Sequence, residues 1–223
     1  MQIRAFLFDF DGLILDTELA SRAGWELLYR DHGHELPPDL WATVVGTYGA
    51  WDPMTHLEEL VGGPLEREAL NERRHAHEVA LIEAEELRPG IAEYLAAARQ
   101  HSLKRAIVSS SNRRWVETHL ERLEEAVGWD AICTAEGDRY RAKPAPTLYL
   151  EALDTLGVAA SEAVAFEDSP NGVRAAKQAG IFCVAVPNEV TRELGLDEAG
   201  ADLVLDSLAD LPPDELLGRF SEE

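Results

Sequence analysis

The chain has 223 residues, enough to bury a full α/β core plus a small second domain. Its 20 basic and 42 acidic residues leave a formal net charge of −22, which argues against nucleic acid and an anionic membrane surface as partners. Two cysteines, Cys133 and Cys183, sit in apolar runs and read as reduced core residues of a cytoplasmic protein, and no Cys/His cluster has zinc spacing. No signal peptide is expected, and no apolar run is long enough to span a membrane.

The first predicted strand, residues 3–8, leads directly into Asp9-Phe10-Asp11-Gly12. Side chains at alternate strand positions point the same way, so this strand end delivers two carboxylates together. Such a pair is costly in a packed core unless a cation holds it, and Mg2+ is the natural partner, bound by carboxylates plus a phosphate. An exposed turn carrying two acids is the alternative. From about 16 to 87 the chain contains no strand pattern. It reads as amphipathic helices (Trp25-Leu27-Leu28, Leu57-Leu60-Val61) with loops at Pro37-Pro38 and Gly62-Gly63-Pro64. Arg88-Pro89-Gly90 then marks the return to an alternating order.

Beyond that point strand-like runs at 104–109, 130–134, 163–167, 181–186 and 202–205 alternate with helical patterns at 91–100, 113–126, 146–156 and 170–179. This order indicates a parallel sheet. The run at 104–109 ends in Ser109-Ser110-Ser111-Asn112 ahead of a helix. Four such residues favour a phosphate cradle, although capping by Ser111 or Asn112 accounts for one of them. Lys143, in Arg141-Ala142-Lys143-Pro144, is one of only three lysines and suits a single tight charge contact; taken alone it is a solvated loop residue. The run at 163–167 ends in the pair Glu167-Asp168. Ser169 and Pro170 open the next helix, but capping does not explain the two acids. Ligand sites of open α/β sheets lie beyond the carboxyl ends of strands, where the two acid pairs and the serine run fall.

In this order of acid pair, hydroxyl strand end, lysine loop and acid pair, the chain resembles the haloacid dehalogenase-like superfamily of aspartate-nucleophile phosphotransferases. More narrowly it resembles the branch holding β-phosphoglucomutase and small-metabolite phosphatases. The resemblance implies an α/β, Rossmann-like parallel-sheet core formed by 1–15 and 88–223. An all-helical cap, 16–87, would be inserted after the first strand and close over the site. It implies that Asp9 is the nucleophile, forming an aspartyl-phosphate, and that Asp11 is the acid and base for the leaving alcohol and the attacking water. Mg2+ would be held by Asp9, the backbone carbonyl of Asp11 and Asp168, with Glu167 a partner directly or through water. Ser109, the amide of Ser110 and Lys143 would hold the phosphoryl oxygens.

Relatives within the resemblance separate by residue type. The dehalogenases lack the second aspartate, present here as Asp11. The phosphonate hydrolases need a cap lysine, and none lies between Asp11 and Arg88. The mutases carry a histidine four residues after the threonine matching Thr17, where this chain has Ser21. They also carry an arginine after the glycine matching Gly46, where this chain reads Gly46-Thr47-Tyr48-Gly49-Ala50-Trp51 with no cation. Both losses favour a phosphatase over a mutase, although Arg73 or Arg74 can still supply a distal cation. Substrate selection is assigned to the cap, with Thr17, Glu18, Ser21, Trp25, Tyr48, Trp51, Arg73 and Arg74 as candidates. Helix-core roles compete for the two tryptophans, a solvated helix face for the two arginines and a helix-start acid for Glu18.

The expected function is a Mg2+-dependent phosphatase acting on a small phosphorylated metabolite, a sugar phosphate being one candidate, as a cytoplasmic monomer. The alternatives are β-phosphoglucomutase-like isomerisation and a non-catalytic binding protein that retains the fold.

Overall fold

The apolar runs pair into one sheet in the computed structural model, which describes residues 2–41, 43–44, 51–125 and 128–220. Strand β1 (Ala5–Phe8) is followed by helices α1 (Glu18–Asp31), α2 (Pro38–Trp41), α3 (Pro53–Val61), α4 (Arg67–Ile82) and α5 (Ile91–Gln100). Then come β2 (Lys104–Ser109), α6 (Arg113–Arg122), β3 (Ala131–Thr134), α7 (Thr147–Leu156), β4 (Ala163–Glu167), α8 (Pro170–Gln178), β5 (Phe182–Ala185), β6 (Leu203–Val204) and α9 (Pro213–Gly218). All pairings are parallel, in the order β3-β2-β1-β4-β5-β6. The fold is therefore an α/β, Rossmann-like parallel sheet with a helical insert after β1.

Alternation along the strands builds two cores. Phe6, Phe8, Ile107, Val164 and Phe166 face α5 and α6, where Tyr94, Leu95, Val116 and Leu120 complete one apolar cluster. Ala5, Leu7, Ala106, Val108, Ala163 and Ala165 face α7 and α8, packing with Leu148, Ala152, Val173 and Ala176. A strand covered on both faces reads as a continuous apolar run, which is why these strands are visible in the sequence. The sheet order turns at β1, which has β2 on one side and β4 on the other. The crevice beyond its carboxyl end is where such sheets bind ligands.

Among the described residues, 16–87 holds only helices, and these bury a core of their own from Leu28, Tyr29, Leu36, Trp41, Met54 and Leu57. Three sequence expectations need correction here. The Pro37-Pro38 loop is the start of α2, because proline is pre-set for the first helical turn. Leu60 and Val61 are exposed, so only Leu57 of that trio is core. The helix expected over 113–126 ends at Arg122, and Glu124 takes a left-handed φ of 59°. No helix among the described residues is long and apolar enough to cross a membrane.

The chain re-enters the sheet domain at Arg88. Its amide donates to Ile14 O at 3.0 Å. Its guanidinium donates to the carbonyls of Gly12, Val186 (3.3 Å) and Pro187 (2.9 Å). The outgoing and returning crossings between core and insert are thereby fastened to each other and to the loop after β5.

Candidate active site

β1 carries Asp9 to the sheet's turning point, and β4 delivers Glu167 and Asp168 beside it. All three are buried, and one carboxylate oxygen from each lies within 4.8 Å of the others. Lys143, from the loop before α7, inserts its ammonium between them. It lies 2.5 Å from Asp9 Oδ1 and 2.6 Å from Glu167 Oε1. Tyr149 donates its hydroxyl to that same Glu167 oxygen at 2.5 Å, and Asn188 donates to Asp168 Oδ2 at 2.8 Å.

One ammonium does not balance three buried carboxylates. Burial, then the Glu167 charge, pushes the Asp9 carboxyl up to about 7 despite the pull of Lys143. Burial, then Asp9, holds Asp168 well above the usual carboxylate range. Burial works against the Lys143 ammonium, but Asp9 and Glu167 outweigh it and raise its pKa. Two buried oxygens, Glu167 Oε2 and Asp168 Oδ1, have no hydrogen-bond partner. Unsatisfied carboxylate oxygens of this kind are rare unless an ion completes them. An all-oxygen donor set of carboxylates suits a hard divalent cation, and these residues fit one.

The backbone leaves room for this cluster only at glycines. A Cβ on Gly12, whose φ is +81°, would collide with the Asp168 carboxylate. A Cβ on Gly172, in the first turn of α8, would collide with the Glu167 carboxylate. Ser169 caps that turn by accepting from the Gly172 amide at 3.1 Å.

Asp11 stands apart from the three-carboxylate cluster. Its Oδ1 accepts from Thr17 (3.0 Å) and the Trp115 indole (2.8 Å), and its Oδ2 from Ser109 (3.1 Å) and Ser111 (2.6 Å). The serine run thus divides its duties. Asn112 caps α6 by accepting from the Trp115 amide at 2.9 Å. Ser109 and Ser111 give their hydroxyls to Asp11, and Ser110 Oγ accepts from the Lys143 amide at 3.2 Å.

A cavity of about 320 Å³ opens over Asp9 and Asp11, with Ser109, Ser110 and Ser111 beside them. The cap supplies the opposite wall. Thr17, Glu18, Ser21 and Arg74 line it as the sequence suggested, and Trp41, His75 and Glu78 line it without having been singled out. Arg73 is not among the lining residues. It turns to Asp31 at the end of α1, 2.6 Å away, because neighbouring residues on a helix point in different directions. Trp25 and Trp51 pack against the cap core, as the helix-core alternative had it. Tyr48 and the rest of 45–50 lie outside the described residues.

Sequence reasoning also missed Tyr149, Asn188 and Trp115. Asn188 follows the end of β5 as Asp9 follows β1, so strand-end position was an available signal. Tyr149 and Trp115 are helix aromatics with no local sign of a polar task.

The family model for haloacid dehalogenase-like hydrolases matches residues 3–180. "Putative phosphatase YhcW" of Bacillus subtilis (strain 168) is 40% identical over 221 residues, covering 99% of each chain. Hexitol phosphatase B of Escherichia coli (strain K12) is 31% identical, covering 97% of this chain and 98% of the relative. A crystal structure of CbbY from Rhodobacter sphaeroides, in complex with xylulose-(1,5)bisphosphate, superposes with a TM-score of 0.74 at 30% identity. It covers 94% of this chain and 96% of that one. With a family model matching residues 3–180 and a relative 40% identical over 99% of each chain, this chain belongs to the haloacid dehalogenase-like hydrolases.

Proposed function

We propose that the chain is a Mg2+-dependent phosphatase that hydrolyses a small phosphorylated metabolite through an aspartyl-phosphate on Asp9. It is a phosphoric monoester hydrolase, the activity for which its relatives are named. The observation that carries the finer reading is the floor of the cavity. A buried carboxylate, Asp9, is held by one lysine beside two carboxylate oxygens that have no partner.

The residues divide the work as follows. Asp9 Oδ attacks phosphorus, the bond from phosphorus to the ester oxygen breaks, and Asp11 gives its proton to the departing alcohol. Water then attacks the same phosphorus, Asp11 takes its proton, and the bond to Asp9 breaks to release inorganic phosphate. Lys143 holds and neutralises Asp9, and Ser109 and Ser110 stand where phosphoryl oxygens enter the cavity. Thr17 and Trp115 hold Asp11 in place between turnovers. Mg2+, when bound by Asp9, Glu167 and Asp168 with the Asp11 carbonyl, would neutralise the charge of the transferred phosphoryl group. Two buried cysteines, both free, support a reducing cytoplasmic setting.

The test is phosphate release from a panel of phosphorylated metabolites, with and without EDTA, for the native chain and Asp9→Asn. Release should need Mg2+ and vanish in the variant. With β-glucose 1-phosphate, little or no glucose 6-phosphate should form, and a bisphosphate activator should give no large stimulation. Isomerisation outpacing phosphate release would replace the phosphatase reading by a mutase.

A further inference from the structure

The relatives point in two directions, since one is named a hexitol phosphatase and another was crystallised with a bisphosphate. The cap wall opposite Asp9 discriminates between such substrates by charge. Arg74 is the guanidinium on that wall, and it is already engaged. Its Nη1 donates to Glu78 Oε2 at 2.8 Å, with the two side chains only 19% and 10% exposed. Its guanidinium carbon lies 4.9 Å from the centroid of the Trp25 ring. Its stem fits the notch left by Gly24, where a Cβ would lie 3.0 Å from Arg74 Cγ.

Glu18 adds a second buried carboxylate to the same wall. One guanidinium thus stands with two carboxylates on this wall, and His75 Nδ1 lies 3.6 Å from the same Glu78 oxygen. Arg73 is committed to Asp31, and from Glu35 to Thr55 the sequence contains no lysine, arginine or histidine.

The hydrogen-bonding groups of the wall have the complementary pattern. Glu18 and Glu78 are acceptors. A phosphate or carboxylate can only accept, whereas a hydroxyl both donates and accepts. Two carboxylates on the wall are therefore matched by hydroxyls and oppose a second anion.

We propose that Glu78, by cancelling Arg74, restricts this cavity to monophosphates whose remaining end is uncharged and hydroxylated. Hydroxyls at that end donate to the carboxylates of the wall. A second phosphate or a carboxylate at that end is rejected. The proposal rests on the phosphatase reading and narrows it to polyol and aldose monophosphates, of a size set by a cavity of about 320 Å³.

The experiment compares kcat/KM for phosphate release from two sets of probes at fixed Mg2+. One set is polyol and aldose monophosphates of five to seven carbons. The other is the matching bisphosphates and phosphorylated sugar acids. The best monophosphate should exceed the best double-anion probe by at least about tenfold. Glu78→Gln keeps the shape of the side chain and leaves the charge of Arg74 uncancelled, so it should shrink or reverse that ratio. A native preference for the double-anion set, or a ratio unmoved by Glu78→Gln, overturns the proposal while phosphate release continues. No release from either set or from p-nitrophenyl phosphate overturns the phosphatase reading and this proposal with it. The native ratio needs no variant to fold.

Discussion

Lys143 Nζ lies 2.5 Å from Asp9 Oδ1, and neither side chain is more than 6% exposed. Removing one partner of a buried ion pair leaves the other charge uncompensated, at a cost of about 3–5 kcal/mol. Lys143→Met should therefore lower the urea midpoint markedly and reduce phosphate release by about a hundredfold or more. Unfolding curves and steady-state rates check both. A variant with the native midpoint would mean that the pair does not carry the balance of charge at this site.

The raised pKa of Asp9 gives a pH signature. Between its ordinary 3.8 and about 7 the folded chain holds a proton that the unfolded chain has lost. The contribution of this group to stability is thus present at low pH and disappears as pH rises through about 7. Mg2+ competes with that proton. Its stabilising shift in Tm should grow from pH 5 to about 7.5 and then level off, as thermal melts with and without Mg2+ would show. An equal shift at pH 5 and pH 8 would contradict the coupling.

Asp11 is held by four donors, from Thr17, Ser109, Ser111 and Trp115. Asp11→Asn should keep the fold and lose about 10² to 10⁴ in rate on alkyl phosphates, whose leaving groups need a proton. Aryl phosphates need little protonation, so their phosphoryl group should accumulate on Asp9. Intact-protein mass spectrometry after rapid quenching would reveal it. Turnover of alkyl phosphates at the native rate would remove Asp11 from the acid–base role.

The glycine that faces Glu167 links the backbone to the proposed metal site. Gly172→Ala places a methyl where the carboxylate now stands, so Glu167 must move. The Mg2+ concentration for half-maximal activity should rise, in the same direction as for Asp168→Ala, which should also lose most of its rate. Mg2+ titrations of the two variants against the native chain decide this. Unchanged half-saturation in both would show that the metal is held elsewhere.

How much of this was legible in the sequence follows from range. Ala5–Phe8 and Ala163–Glu167 are continuous apolar runs because both faces are covered, and each ends in acids that packing cannot explain. Those signals are local, so the sheet and the acids Asp9 and Asp168 could be read directly, whereas Lys143, a solvated loop residue when taken alone, gained its weight from the order of the other segments. The partner of each side chain could not be read in this way. Arg73 and Arg74 are adjacent in sequence, and only the packing of α4 on α1 sends one to Asp31 and the other to the Trp25 ring, whereas the Arg74–Glu78 pair lies within α4 at i, i+4 spacing. Tyr149 and Trp115 look like ordinary helix aromatics until α7 and α6 bring them to Glu167 and Asp11.

Arg88 has a consequence for how this architecture changes over time. It clasps the carbonyls of Gly12, Val186 and Pro187 while its amide holds Ile14, so the doorway between the two modules is a single knot of backbone. Everything threaded through that doorway is topologically a loop whose two ends are pinned side by side. Its contents can be lengthened, shortened or exchanged without pulling on the strand that presents Asp9. The helical insert is thus editable apart from the strand that presents Asp9, with Arg88 as the seam.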